Sequence, residues 1–337
     1  MVVHFYYMKT TDLMKKSSRM LCILIGSRPG SEYAGLTDRE LFENVENKVQ
    51  AVEAFAKRHD PDIVFTIAGM NSEAESFGAK VLMKENGSPY VAESYLSDKP
   101  DPSRLIPMPL HSSPLCTTLI ESIRMLSERL PDKLVAATLN GPFTVLGQLL
   151  GLDRLLLLSV DNPQLMQKLL SPITKRIIEL MNAQMEAGAR YVHVAEPTGS
   201  LLSPNFFREI NLPAIQELFS HVNVPNHLHI CGDVNAHLEV LAQTGAGAIS
   251  VDSMVDMKAA ARLFGNEMAI CGNIESAGVL LNGSAAQVKS ATLSMLEQMD
   301  KFKNFIPASS CGIPRQTPPE NIETFVKTVR AHKSVAK

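Results

Sequence analysis

Short apolar runs alternate along the chain with longer stretches whose apolar residues recur at helical spacing. The runs lie at residues 21–25, 63–67, 134–139, 191–195, 227–230, 248–251, 268–271 and 305–308. Taken together they read as continuous rather than alternating apolar runs, which is the pattern of parallel strands covered on both faces. Between them the periodicity predicts helices over 37–58, 117–130, 144–184, 204–219, 234–243, 257–264, 285–299 and 318–331. The first opens on Thr-Asp-Arg-Glu, a capping box from Thr37 to Glu40. The third is long enough for two or more helices, with a break near Asp161–Pro163. Pro204 and Pro318 sit just inside helix starts, where a missing N–H costs little. Strands alternating with helices predict a (β/α)8 TIM barrel, with an open doubly wound sheet as the alternative. The whole chain, 1–337, reads as one barrel domain. The irregular stretch 69–114 reads as an insertion with a hairpin around Asn86-Gly87.

Composition narrows the function classes. With 337 residues, 45% of them apolar, a large core is expected. The 32 basic and 35 acidic residues leave a net charge of −3, so the footprint of a nucleic-acid binder is absent. No apolar run approaches the roughly 20 residues of a membrane span. The opening MVVHFYYMKTTDLMKK lacks a basic region ahead of an apolar one, so no secretory signal is expected. Five scattered cysteines do not make a disulfide framework. The expectation is a cytoplasmic protein with reduced thiols, free to bind metal. No oligomeric state follows from the sequence.

In a (β/α)8 barrel the chemistry sits at the carboxyl ends of the strands. Polar or glycine-rich clusters stand at those ends here, among them Gly26-Ser27-Arg28, Gly69-Met70-Asn71, Asn140-Gly141-Pro142, Glu196-Pro197-Thr198, Cys231-Gly232-Asp233, Asp252-Ser253, Gly272-Asn273 and Ser310-Cys311-Gly312. His229 and Cys231 are two apart, so on an extended strand they point the same way. An imidazole and a thiolate suit Zn2+. Cys311, past the last strand, can face the same mouth, giving three ligands and leaving a position for substrate. The alternative is that both cysteines are small buried hydrophobes and His229 a satisfied core histidine. Cys22 and Cys271 fall within strands and are expected in the core. Cys116 is expected near the surface at a helix start. His227 is expected to pack one layer below His229, and His237 to lie on a helix surface. Whether His193 faces the barrel interior is open.

The segments HLHICGDVNAHLEVLAQTGAGAISVDS and IPASSCGIPRQTPPENIETFV resemble the methylcobamide:coenzyme M methyltransferases, within the uroporphyrinogen decarboxylase superfamily. LVAATLNGPFTV, AEPTGSLLSPNFFREINLP and AESFGAKVLMKENGSPYV extend the resemblance over most of the chain; the first 60 residues resemble it least. The resemblance implies a (β/α)8 barrel. It also implies a zinc motif, HxC with a distant Cys, that falls on His229, Cys231 and Cys311. It further implies a displaceable carboxylate ligand at the position of Asp252, where a longer Glu is usual. The implied reaction moves a methyl group from a methylated corrinoid (methylcobalamin) to a thiol such as coenzyme M, which is activated as thiolate on zinc. No DxHxxG-like cobalamin-binding pattern is present, so the donor is expected on a separate corrinoid protein docking at the barrel mouth.

Other residues are expected around that mouth. Glu196 either orients a ligand or relays the thiol proton, or else bonds a helix N-terminus. Asn140, Asn273 and Arg315 are expected near cofactor or substrate, with loop-backbone bonding as the alternative for Asn273. Arg28 and Arg315 are the cations that could meet a sulfonate. Rival readings are a related zinc corrinoid methyltransferase with another acceptor or donor, a uroporphyrinogen decarboxylase-like lyase, and a non-catalytic barrel with a structural zinc.

Overall fold

The computed structural model describes residues 8–67, 70–84 and 89–332. Seven parallel strands form one sheet: β1 (Ile63–Phe65), β4 (Leu134–Asn140), β5 (Tyr191–Ala195), β6 (Asn226–Ile230), β7 (Ala248–Val251), β8 (Ala269–Ile274) and β9 (Phe305–Ser309). A separate antiparallel pair, β2 (Val81–Met83) and β3 (Pro89–Val91), lies between β1 and β4 in the chain. Each strand of the large sheet pairs with the next one in sequence. Helices in the connections cover the outer face, so the sheet curls rather than staying open.

The strand residues divide cleanly between two cores, because successive side chains on a strand point to opposite faces. Val64, Val135, Ala137, Val192, Val194, Leu228, Ile230, Ile249 and Ile270 pack outward against the helices. Ile63, Phe65, Ala136, Tyr191, Ala248, Ala269, Cys271, Ile306 and Ala308 pack inward on one another. Leu21, Ile23 and Ile25 join this inner cluster, while Cys22 and Leu24 face out. The segment 21–25 therefore occupies the eighth position of the (β/α)8 barrel, between β9 and β1.

That segment is nevertheless no regular strand. It makes one parallel bridge, Ile23 with Ala308, in which the Ile23 N–H donates to Pro307 O at 3.0 Å and Ser309 N–H donates to Ile23 O at 3.1 Å. Toward β1 its partners are side chains. The Cys22 N–H donates to the Asp62 carboxylate at 2.8 Å, and Ser27 Oγ donates to Phe65 O at 2.8 Å. Carboxylate and hydroxyl thus replace a ladder on that side.

Helix boundaries follow local chemistry. Thr37 and Glu40 form the expected reciprocal cap, but the helix it starts, Asp38–Glu43, stops at Asn44. Asn44 then caps a second helix, Val45–His59. The long helical stretch is three helices: Pro142–Leu150, Leu152–Asp161 and Pro163–Glu186. The expected break at Asn162 is joined by one at Gly151, whose φ of 79° favours glycine, and the first two helices cross at 113°. Pro204 is the first residue of its helix, whereas Pro318 is the cap and Pro319 the first helical residue. The strand expected at 268–271 runs on to Ile274, so Gly272 and Asn273 lie within β8. The hairpin pair β2 and β3 flanks the expected turn, and Asn86-Gly87 itself lies outside the described residues, as does Gly69. No single helix among the described residues is long and apolar enough to cross a membrane.

Candidate metal centre

Strand β6 places its two histidines by alternation: Leu228 and Ile230 face the helices, so His227 and His229 face the barrel interior. Cys231 follows at the carboxyl end, and Gly232, at φ 82°, turns the chain away. Cys311 comes from the loop after β9. It is clamped by Ser276, whose Oγ accepts from Cys311 N–H at 3.1 Å and donates to Cys311 O at 2.9 Å. His229 Nε2 stands 3.1 Å from Cys231 Sγ, and the two sulfurs are 3.4 Å apart. One ligand atom from each of the three residues lies within 4.8 Å of the others. On the far side of the imidazole, Nδ1 is 3.1 Å from Ser250 Oγ, which holds the ring with Nε2 toward the cysteines.

The donor set fits zinc. At about 2.3 Å per bond, two sulfurs sharing one zinc stand at most about 4.6 Å apart, and the observed 3.4 Å lies inside that limit. Three ligands is a catalytic rather than a structural count. The sulfurs already behave as a unit. Hydrogen bonding from Cys231 draws the Cys311 thiol down against the effect of burial, with His229 assisting. The same bond, with burial, pushes the Cys231 thiol up.

The other residues expected at the site have different partners. Asp252 is not brought into the ligand cluster. Its Oδ2 accepts Gly232 N–H at 3.0 Å and its Oδ1 accepts Ser253 N–H at 2.7 Å, so the short carboxylate braces the loop that follows Cys231. Glu196 takes the helix-terminus role. Its fully buried carboxylate accepts Phe143 N–H at 3.0 Å, Thr144 N–H at 2.7 Å and the Thr144 hydroxyl, at the start of the helix Pro142–Leu150. Burial pushes its carboxyl up to about 7 despite these bonds. Asn140 donates from Nδ2 to Met70 O and to Glu73, both at 2.9 Å, joining β4 to the helix Ser72–Ser76. Asn273 Nδ2 donates to Asp252 O at 3.0 Å and Val255 O at 3.3 Å, the loop-backbone alternative. Arg315 is committed to acids: Nε lies 2.7 Å from Glu32 and Nη1 3.2 Å from Asp38, while Nη2 donates to Leu36 O. Arg28 also pairs with Asp38, at 2.7 Å.

Beneath His229 runs a column of polar rings. His193 faces inward, its Nδ1 2.7 Å from His227 Nε2, and His227 Nδ1 is 3.0 Å from the Tyr191 hydroxyl. Burial lowers His193 to about 3 and His227 well below its ordinary value, so both are neutral. Burial also raises the Tyr191 hydroxyl, which keeps its proton. Cys22 and Cys271 are buried, as expected. Cys116 is buried too, and so is His237, whose Nε2 donates to Leu202 O at 2.7 Å; neither lies at the surface. Sequence reasoning missed Ser250, Ser276 and Glu73. Ser250 had a signal, as an inward position on an otherwise apolar strand; Ser276 had none.

The uroporphyrinogen decarboxylase (URO-D) family profile matches residues 15–332. The methylcobamide:CoM methyltransferase MtaA of Methanosarcina barkeri is 30% identical over 262 residues, 75% of this chain and 74% of that protein. A uroporphyrinogen decarboxylase of Trichodesmium erythraeum is 31% identical over 173 residues, 50% of this chain and 48% of that protein. Among solved structures, a methyltransferase from Methanosarcina mazei superposes with a TM-score of 0.81 at 24% identity, covering 96% of this chain and 98% of that one, which shows a shared fold. With a family match over residues 15–332 and methyltransferases among its relatives, the chain belongs to the uroporphyrinogen decarboxylase (URO-D) family, as one of its methyltransferases.

Proposed function

We propose that the chain is a zinc-dependent corrinoid methyltransferase that moves a methyl group from a methylated corrinoid, carried by a separate corrinoid protein, to a thiol such as coenzyme M. The observation that carries this reading is the convergence of His229 Nε2, Cys231 Sγ and Cys311 Sγ within 4.8 Å at the barrel mouth. The similarity to methylcobamide:CoM methyltransferases supports the same donor and acceptor classes. Decarboxylation of a porphyrinogen gives this His-Cys-Cys set no task.

A zinc ion at these three ligands supplies Lewis acidity, lowering the pKa of a thiol so that it reacts as thiolate near neutral pH. The chain's own residues do the rest. Cys231 and Cys311 hold the ion with negative charge, and Ser250 fixes the ring of His229 so that Nε2 is the ligating atom. Ser276 holds Cys311 through both its N–H and its C=O. Asp252 secures the turn at Gly232 and acts as a positioning residue. Two sulfurs 3.4 Å apart stay reduced in the cytoplasm, where we place the enzyme.

Elemental analysis tests the reading. Wild type is expected to carry about one zinc per chain, lost in both Cys231→Ala and Cys311→Ala, together with thiol-dependent demethylation of methylcobalamin. A folded wild type that neither carries zinc nor gains activity on zinc addition overturns it.

A further inference from the structure

The Tyr191–His227–His193 column has a direction, set by one proton. Tyr191 is fully buried, and among the described residues its hydroxyl has one partner, His227 Nδ1. A buried O–H with a single neighbour donates to it, since otherwise its proton has no acceptor. His227 Nδ1 therefore accepts, and the His227 proton sits on Nε2. That N–H faces His193 Nδ1 at 2.7 Å. Two nitrogens so close share one proton, so His193 Nδ1 accepts and the proton of His193 sits on Nε2. Reversing both imidazoles strands the tyrosine proton.

The His193 Nε2–H has no hydrogen-bond partner among the described residues. Below it the barrel is closed. Tyr191 and His227 are fully buried, and Ile63, Ala136, Ala248 and Ala269 fill the layers beneath. His193 keeps 4% of its surface exposed, as does Ala195 above it on the same face of β5. Above it the next inward side chain of β5 is the small one of Ala195, and the Phe65 ring stands edge-on to the imidazole at 5.2 Å between centroids. The His193 ring lies 6.2 Å from that of His229, centroid to centroid.

We infer that His193 determines which thiol is accepted: its Nε2–H donates a hydrogen bond to an acceptor oxygen (sulfonate, carboxylate or hydroxyl) on the thiol substrate, with Tyr191 and His227 holding the proton in place. This rests on the thiol-transfer reading above. It gives the task of recognition to a neutral donor inside the mouth, since Arg28 and Arg315 are already bound to acids. A site built around a hydrogen bond rejects analogues lacking the acceptor, because its buried donor is then left unpaired.

The test compares kcat/KM for 2-mercaptoethanesulfonate and for ethanethiol, with methylcobalamin as donor and the full zinc-loaded chain. In His193→Phe the preference for the sulfonate thiol is expected to fall about tenfold or more, with the ethanethiol rate kept within about threefold. Tyr191→Phe leaves the mouth untouched, yet it is expected to lower the preference too. Imidazole nitrogen-15 spectra should place the His193 proton on Nε2 in wild type and show it redistributed in Tyr191→Phe. Equal losses for both thiols, an unchanged preference, or a wild-type proton on Nδ1 overturns the inference. Where His193→Phe does not fold, Tyr191→Phe and the spectra decide. A wild type that transfers methyl to neither thiol refutes the methyl-transfer reading and this inference with it. One that transfers to both, with a preference indifferent to His193 and Tyr191, refutes the inference alone.

Discussion

His229 is oriented by Ser250: the hydroxyl on β7 stands 3.1 Å from Nδ1, and the opposite nitrogen is left facing Cys231. Partners of this kind typically govern metal affinity by roughly 10–100-fold. Ser250→Ala should therefore keep the fold and a full metal load at saturating zinc, but release zinc to a competing chelator within that range more readily. An affinity equal to wild type would show that the ring is fixed by packing alone.

Asp252 tests the difference between holding metal and holding the loop. Asn at this position keeps one acceptor oxygen, enough for either Gly232 or Ser253 but not for both. Asp252→Asn should retain about one zinc per chain and bind it more weakly. Cobalt-substituted protein should show the same ligand-field spectrum as wild type. A changed spectrum would mean that the carboxylate itself ligates.

Glu196 links the site's scaffold to pH. Its carboxyl is raised from 4.5 to about 7 in the folded protein, chiefly by burial. A raised carboxyl binds its proton more tightly when folded, so this contribution to stability is complete below 4.5 and disappears as pH rises through 7. Between pH 5 and 8 the stability of Glu196→Gln should therefore gain on that of wild type, by at most roughly 3 kcal/mol. Urea denaturation of both proteins at the two pH values gives the difference. A constant offset would place the ionisation elsewhere.

Gly141 is the reason Glu196 fits. A Cβ added at Gly141 would overlap the Glu196 carboxylate and its Cβ, and the carboxylate is held in place by Phe143 N–H and Thr144 N–H. Gly141→Ala should displace the cap on the helix Pro142–Leu150 and cost about 1–3 kcal/mol or more. An unchanged thermal midpoint would contradict the close approach.

Much of this was legible in the chain. The eight apolar runs mark the seven strands and the segment 21–25, because a strand buried on both faces is mostly apolar on both. His229 and Cys231 could be paired by alternation, and Cys311 by its place after the last run. What escaped was contact at a distance. Nothing near Arg315 in sequence reveals Glu32 and Asp38, almost the whole chain away, so its charge looked available. Glu196 stayed divided between a ligand or proton role and a helix N-terminus, because its partners Phe143 and Thr144 lie on the helix after β4, in another connection. His237 looked exposed because the Leu202 carbonyl that receives its proton belongs to another connection. Asn44 ended a helix by capping its successor, a competition that periodicity does not register.

The seam between β9 and residues 21–25 bears on the centre as well. Ser309 N–H reaches Ile23 O at 3.1 Å and Ile313 N–H reaches Ile25 O at 2.9 Å, one on each side of Cys311. The third ligand is thereby stitched to the chain's opening segment, while the other two ride on β6, three strands away. A metal held by these three residues would tie β6 to the loop after β9, beside the segment 21–25. Prying the seam apart would pull Cys311 away from His229 and Cys231, so an ion bound by all three would resist the opening of the barrel there.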